Sequence, residues 1–333
     1  MFVVGGESLI DLISEPMEAD GTLRLIARQG GSPYNCAIAL AKLGAETGFL
    51  CPISSDGLGT YLLTPLAAAG VKVLMQERVS TYTTLAVVTF DANKSAQYGF
   101  YRQADRDISR SALISALPGE LEVFQIGGFC SIEPEDAAIW LDVAREAEAR
   151  GATLSIDPNV RPSLIADFSG YRERLQTFLE MAHVVKVSIE DLAALEWGRA
   201  VRVSELVPAK VEEIIEKYVK DFLARGNCEL VLVTQGEEGS RAFTKSAAAK
   251  AVTYRPPSMG DTVGAGDTFM AAVLALLSEQ GTLAPGKLGG LDEGSLEALL
   301  RFGAVAAGLN CAHVGCHPPT RAEVDGALFA IVQ

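Results

Sequence analysis

Short apolar runs alternate with stretches of helical spacing along most of the chain, and one interval breaks that rhythm. Phe2 to Val4 reads as a buried strand ending at Gly5-Gly6. The alternating SLIDLI after it and a second apolar run, TLRLIA, flank an acidic turn at Glu15 to Gly21 and predict a hairpin. Residues 34 to 43, YNCAIALAKL, carry helical spacing and stop at Gly44; TGFLCPI then reads as a strand and residues 58 to 69 as a helix stopping at Gly70. Between about 71 and 102 the pattern turns β-rich, as VKVLMQERV, TTLAVVTFD and AQYGFYRQ, with a turn at Asp91 to Lys94 between the last two. Strands with no helices between them cannot belong to a helix-covered parallel sheet, so this interval is expected to join the early hairpin in a small separate sheet.

From residue 107 onward the alternation resumes: strands LEVFQIG, TLSIDPN, HVVKVS and ELVLVTQG are separated by helices over 135 to 149, 171 to 181 and 210 to 225. That order predicts an α/β fold with a mostly parallel sheet between helices. Four of these strands end in polar or glycine residues (Gly127, Asp157 with Asn159, Ser188, Thr234 with Gly236), and ligands of open α/β sheets gather at strand carboxyl ends. Each such residue is, taken alone, an ordinary loop former. Residues 269 to 277, FMAAVLALL, are apolar all round, as in a helix buried inside a domain, and Gly281 to Gly294 reads as an exposed connection.

A chain of 333 residues suits one large α/β domain, with or without a small appendage. The 28 basic residues against 42 acidic ones leave a formal charge of −14, which argues against nucleic acid or an anionic membrane as partner. No apolar stretch is long enough to span a bilayer and the N-terminus carries no secretion signal, so the cytoplasm is the expected location. Six scattered cysteines read as buried free thiols. Cys311, His313, Cys316 and His317 place four possible metal ligands in seven residues, but that compressed spacing favours a helix end and turn over structural zinc.

Against this acidic background the run Asp261 to Phe269, DTVGAGDTF, carries the chemistry. Gly264 and Gly266 free the amides of residues 264 to 267 to point outward at the positive end of the following helix, where an anion such as a nucleotide phosphate is favoured. Asp267 sits in the same place, and a carboxylate there repels the anion unless it has work to do, such as accepting the proton of a hydroxyl that attacks phosphorus. The bland alternative is a glycine turn capped by an aspartate. No GxxxxGK[ST] loop is present, and GAGDTF lacks the third glycine of the GxGxxG dinucleotide fingerprint.

Six phrases occur in order: GGSPYNCAIALAKLG at 30 to 44, SSDGLG at 54 to 59, DPNVRP at 157 to 162, VKVSIEDL at 185 to 192, VTQGEEGS at 233 to 240 and DTVGAGDTF. Over almost the whole chain they resemble the ribokinase-like (PfkB) carbohydrate kinases, and GESLIDL with three of them looks most like bacterial fructokinases. The resemblance implies a single ribokinase-like domain over residues 1 to 333, with a small β-sheet lid formed by about 8 to 28 and 72 to 104. It implies an ATP-dependent sugar kinase that uses Mg²⁺ and leaves K⁺ open, with D-fructose as the expected acceptor. Within the family 2-keto-3-deoxygluconate kinase is the nearest alternative, followed by kinases of ribose, tagatose 6-phosphate or nucleosides. A sugar-binding regulatory protein without turnover is the alternative from another class.

By the same resemblance Asp267 is the catalytic base and the amides of Gly264, Ala265, Gly266 and Asp267 form the anion hole. Asp11, Gly30, Gly31 and Asn35 take the sugar, and Arg102 reaches the substrate or its new phosphate. Arg161 is directed toward the γ-phosphate. Lys186 and Ser188 form a phosphate-side pair, and Thr234, Gly236 and Gly239 the nucleotide-binding turn. Asp191 or Glu190 organises Mg²⁺ through water, the family's usual Glu being replaced by the shorter Asp191. Asp261 and the carbonyl of Val263 are candidate monovalent-cation ligands, with the rest from about 312 to 319. Exposed lid edges that pair between subunits in the family leave a homodimer open.

Overall fold

A computed structural model describes residues 1–90 and 96–332. The first 70 residues supply strand β1 (Phe2–Gly5), a hairpin of β2 (Leu9–Ser14) and β3 (Leu25–Gly30), helix α1 (Ser32–Lys42), β4 (Thr47–Leu50) and α2 (Gly57–Ala69). Pro33 opens α1 in its first turn, and Gly70 ends α2 in the left-handed conformation that a side chain disfavours. Next come β5 (Lys72–Val73), β6 (Leu85–Phe90) and β7 (Ala96–Tyr101); the expected turn at Asp91 to Lys94 lies outside the described residues.

The central part alternates α3 (Arg110–Ala116), β8 (Val123–Gly127), α4 (Pro134–Ala149), β9 (Thr153–Asp157), α5 (Phe168–Met181), β10 (Val184–Ser188), α6 (Ile189–Trp197), α7 (Pro208–Ala224) and β11 (Leu230–Thr234). It closes with β12 (Ser240–Phe243), β13 (Ala248–Ala251), α8 (Ala265–Glu279), α9 (Glu293–Asn310) and α10 (Arg321–Val332). Nine strands form one sheet in the order β13-β12-β11-β10-β9-β8-β1-β4-β5, parallel except where β12 and β13 fold back at one edge. Alternate side chains of each parallel strand enter opposite cores: Phe2 and Val4 one, Val3 the other; Leu230 and Leu232 one, Val231 and Val233 the other. A sheet buried on both faces is why these strands read as continuous apolar runs. Helix α8 lies wholly within the Phe2 side, its residues Phe269 to Ala275 all buried.

The separate sheet is β3-β2-β6-β7, and its central pair β2 and β6 is parallel. The run VKVLMQERV departs from expectation. Only Lys72–Val73 is a strand, and it pairs with β4 at the edge of the large sheet instead of joining the lid. The reason is its position directly after α2, which returns the chain alongside β4 as any βαβ crossover does. Two antiparallel strands, β12 and β13, and helices α3 and α6 were not legible from the spacing. Among the described residues no helix is long and apolar enough to cross a membrane.

Candidate active site

The parallel strands β1, β8, β9 and β10 end on one side, facing the underside of the four-stranded sheet, and a cavity of about 890 Å³ lies between them. It is lined from the lid by Asp11, Arg28 and Gln29, from the strand ends by Glu7, Asn159, Arg161 and Lys186, and from α1 and α8 by Asn35, Gly264, Gly266 and Asp267.

Asp267 stands in the first turn of α8. Gly264 precedes it at φ 75°, a left-handed conformation, and a Cβ there would meet Cys316 Sγ. Both demands select glycine. The Asp267 carboxylate is buried and accepts two side-chain hydrogen bonds, from Ser32 Oγ at 2.6 Å and from Asn35 Nδ2 at 2.9 Å. Its pKa is raised: burial outweighs those two bonds and the attraction of Lys186 and Arg161. Burial therefore makes it a stronger base than a carboxylate in water.

Lys186 is buried, and its Nζ lies 2.8 Å from Asp157 Oδ2. A Cβ on Gly266 would sit 2.9 Å from that ammonium, which places a positive charge directly beside the turn. Burial alone would favour neutral lysine, but Asp157, Asp191 and Asp267 together raise its pKa and keep it charged. Asp11, on β2, lies beside Gly30, and burial pushes its pKa up to about 6 against the pull of Arg161.

Several expected residues stand elsewhere. Arg102 does not line the cavity; it pairs with Asp105 at 2.7 Å and Asp136 at 3.2 Å and stacks over the Phe129 ring, so its charge is spent inside the protein. Ser188 and Asp191 form a capping box at the start of α6, and Asp191 also accepts from Val160 N at 2.7 Å, which uses both its oxygens. Glu190 is exposed. Thr234, Gly236 and Gly239 stand where the sequence placed them, in the turn at the carboxyl end of β11, outside the lining of this cavity. Asp261 lines the cavity, but its oxygens accept from Val263 N at 2.9 Å and Gly315 N at 2.7 Å, while Val263 O accepts from Asn310 Nδ2 at 2.7 Å. Those bonds stitch the 261–264 segment to residues 310 to 315 and fix the orientation of both candidate cation ligands, each oxygen keeping a second lone pair. The His313 and His317 rings lie 4.4 Å apart, while Cys316 packs under Gly264. Among the described residues no group of three or more His, Cys, Asp or Glu is arranged to hold a metal.

Glu7 and Ser32 were missed. Glu7 is buried and accepts from Ser32 N at 3.2 Å and Phe129 N at 2.9 Å, and burial pushes its pKa up to about 7. Its carboxylate thus orders the residue whose hydroxyl holds Asp267. The signal available was the phrase GESLIDL, in which the acid two residues beyond β1 stands at a strand carboxyl end.

The family model for pfkB carbohydrate kinases matches residues 2–323. A fructokinase of Rhizobium leguminosarum bv. trifolii is 30% identical over 298 residues, covering 89% of this chain and 85% of that protein. Fructokinase-2 of Solanum lycopersicum is 30% identical over 336 residues, covering 97% and 94%. The crystal structure of a fructokinase with bound ATP from Xylella fastidiosa superposes with a TM-score of 0.84 at 26% identity, covering 100% of this chain and 99% of that one.

Proposed function

Because the chain belongs to the pfkB family of carbohydrate kinases, an ATP-using class of enzyme, we propose that it transfers the γ-phosphate of ATP to a hydroxymethyl group of D-fructose, giving fructose 6-phosphate. The observation that carries this reading is the Asp267 carboxylate: buried, held by Ser32 and Asn35, and opening on the cavity that Asp11 enters from the lid. A sugar hydroxyl within reach of Asp267 gives up its proton there while the oxygen attacks the terminal phosphorus. Little proton removal is needed early in a loose transition state, so aim matters most, and two hydrogen bonds supply it. The amides at the start of α8, Lys186 and Arg161 face the charge on the transferring group. Asp11, Asn35 and the backbone at Gly31 offer the acceptors and donors that a polyol needs.

Mg²⁺ neutralises phosphate charge when bound, and with Asp191 committed to its capping box the ion would rest mainly on phosphates and water. Glu190, exposed beside Asp191, is the alternative acid for orienting that water. K⁺ could share the oxygens of Asp261 and Val263 with the single bond each already accepts, and no step is assigned to it. The assembly we assign is a homodimer through the lid, in the cytoplasm.

An ATP-consumption screen over free sugars, sugar acids, sugar phosphates and nucleosides tests the substrate. Turnover highest on fructose is expected. Turnover confined to a sugar acid would replace fructose by 2-keto-3-deoxygluconate, and sugar binding without turnover on any compound would make the chain a regulatory binder.

A further inference from the structure

We propose that Arg28, carried by the lid, is a further catalytic residue: its guanidinium contacts the transferring phosphoryl group beside the turn before α8. The inference rests on the phosphotransfer reading above. Arg28 lies on β3 directly across from Asp11 on β2, and both line the cavity. Its side chain reaches out of the lid to the far wall, where Nη1 donates to Val314 O at 3.2 Å, 286 residues away in sequence. A Cβ on Gly315 would sit 3.0 Å from the same Nη1, and the next residue, Cys316, is the one packed under Gly264. The guanidinium is therefore one residue step from the segment that supports the anion turn.

Charge makes the position informative. The chain carries a net −14, and other arginines, such as Arg102, Arg106 and Arg241, are matched to carboxylates. Arg28 enters no ion pair among the described residues; its one partner is a neutral carbonyl. Arg161, across the same cavity, likewise donates only to backbone oxygens, at 3.3 and 3.4 Å. An exposed guanidinium on a half-buried residue, with four donors left over in a cavity that also holds a phosphate-directed turn, is complementary to a phosphoryl group. The lid would thereby complete the charge set only when it lies over the substrate, so that closure and catalysis are coupled.

Three substitutions separate this role from that of a clasp. Arg28→Gln keeps a donor for Val314 O and loses the charge, Arg28→Met loses both, and Arg28→Lys keeps the charge. Expected are a kcat lowered about 10²-fold in Gln and Met with the sugar KM within threefold of the parent, and a loss under tenfold in Lys. Parent-like kcat in Arg28→Gln with a loss only in Met would make Arg28 a clasp and overturn the proposal, as would parent-like kcat in all three. Calorimetric titration with sodium tripolyphosphate reads the same charge without turnover: affinity should fall at least tenfold in Gln and Met and hold in Lys, and equal affinity in all four proteins would overturn the proposal. If the parent phosphorylates nothing in the screen, the substrate reading fails while this titration still decides whether Arg28 faces a phosphate.

Discussion

At the scale of single residues, the site is built from acids that burial makes reluctant to ionise. Glu7 is raised to about 7, Asp11 to about 6, and Asp267 in the same direction, in each case chiefly because water is excluded. For Asp267 this is useful, since a carboxylate with a raised pKa holds a transferred proton better than one in water. Asp267→Asn keeps the shape and can still bond Ser32, but offers no base. Turnover should fall about 10²–10⁴-fold with ATP binding and thermal unfolding close to the parent, measured by steady-state kinetics and calorimetry; turnover within threefold of the parent would remove Asp267 from the mechanism.

At the scale of elements, α8 is placed by backbone proximity. A Cβ on Gly303 of α9 would lie 2.8 Å from the Phe269 ring, so the two helices approach as closely as glycine permits and carry the turn before α8 to the strand ends. The lid has the opposite character. Its outer strands β3 and β7 are free edges, with Leu25, Ile26 and Tyr101 exposed. Edges of this kind invite pairing with another chain. The lid-mediated homodimer therefore predicts a dimer for the parent and a monomer for Ile26→Lys in sedimentation equilibrium at micromolar concentration; a monomeric parent would reject it.

At the scale of the whole molecule, the buried acids set a pH dependence of stability. Glu7, with a folded pKa of about 7 against an ordinary value of 4.5, binds its proton more tightly in the folded chain. Its contribution is fully present below about pH 4.5 and is lost as pH rises through about 7, and Asp11 acts in the same direction up to about 6. For Glu7 the loss is about 3 kcal/mol. Asp56, lowered to about 2 by hydrogen bonds from Thr83 and Gly59 that outweigh its burial, is ionised throughout this window and adds no slope. Urea unfolding should give lower stability at pH 8 than at pH 5, with the difference reduced in Glu7→Gln; equal stability at both pH values in the parent would contradict the raised pKa.

Local pattern was enough for the alternation of strands and helices, the all-apolar α8, the helix-free lid interval and the DTVGAGDTF turn, because each is written in neighbouring residues. The motif phrases also led to Asp11, Asn35, Arg161 and Asp267, which do meet in one cavity. What no local pattern could reveal was partnership. Arg102 looked like a cation at the end of a lid strand, and only folding brings Asp136 of α4 against it. Asp191 looked like a metal-organising acid, and Val160 from the neighbouring strand end takes its second oxygen. Ser32 and Glu7 acquire their parts because 235 residues separate Ser32 from Asp267 and 122 separate Glu7 from Phe129. A side chain's type is encoded where it stands in the chain, but its charge state and its free hydrogen-bonding capacity depend on what the rest of the chain packs against it.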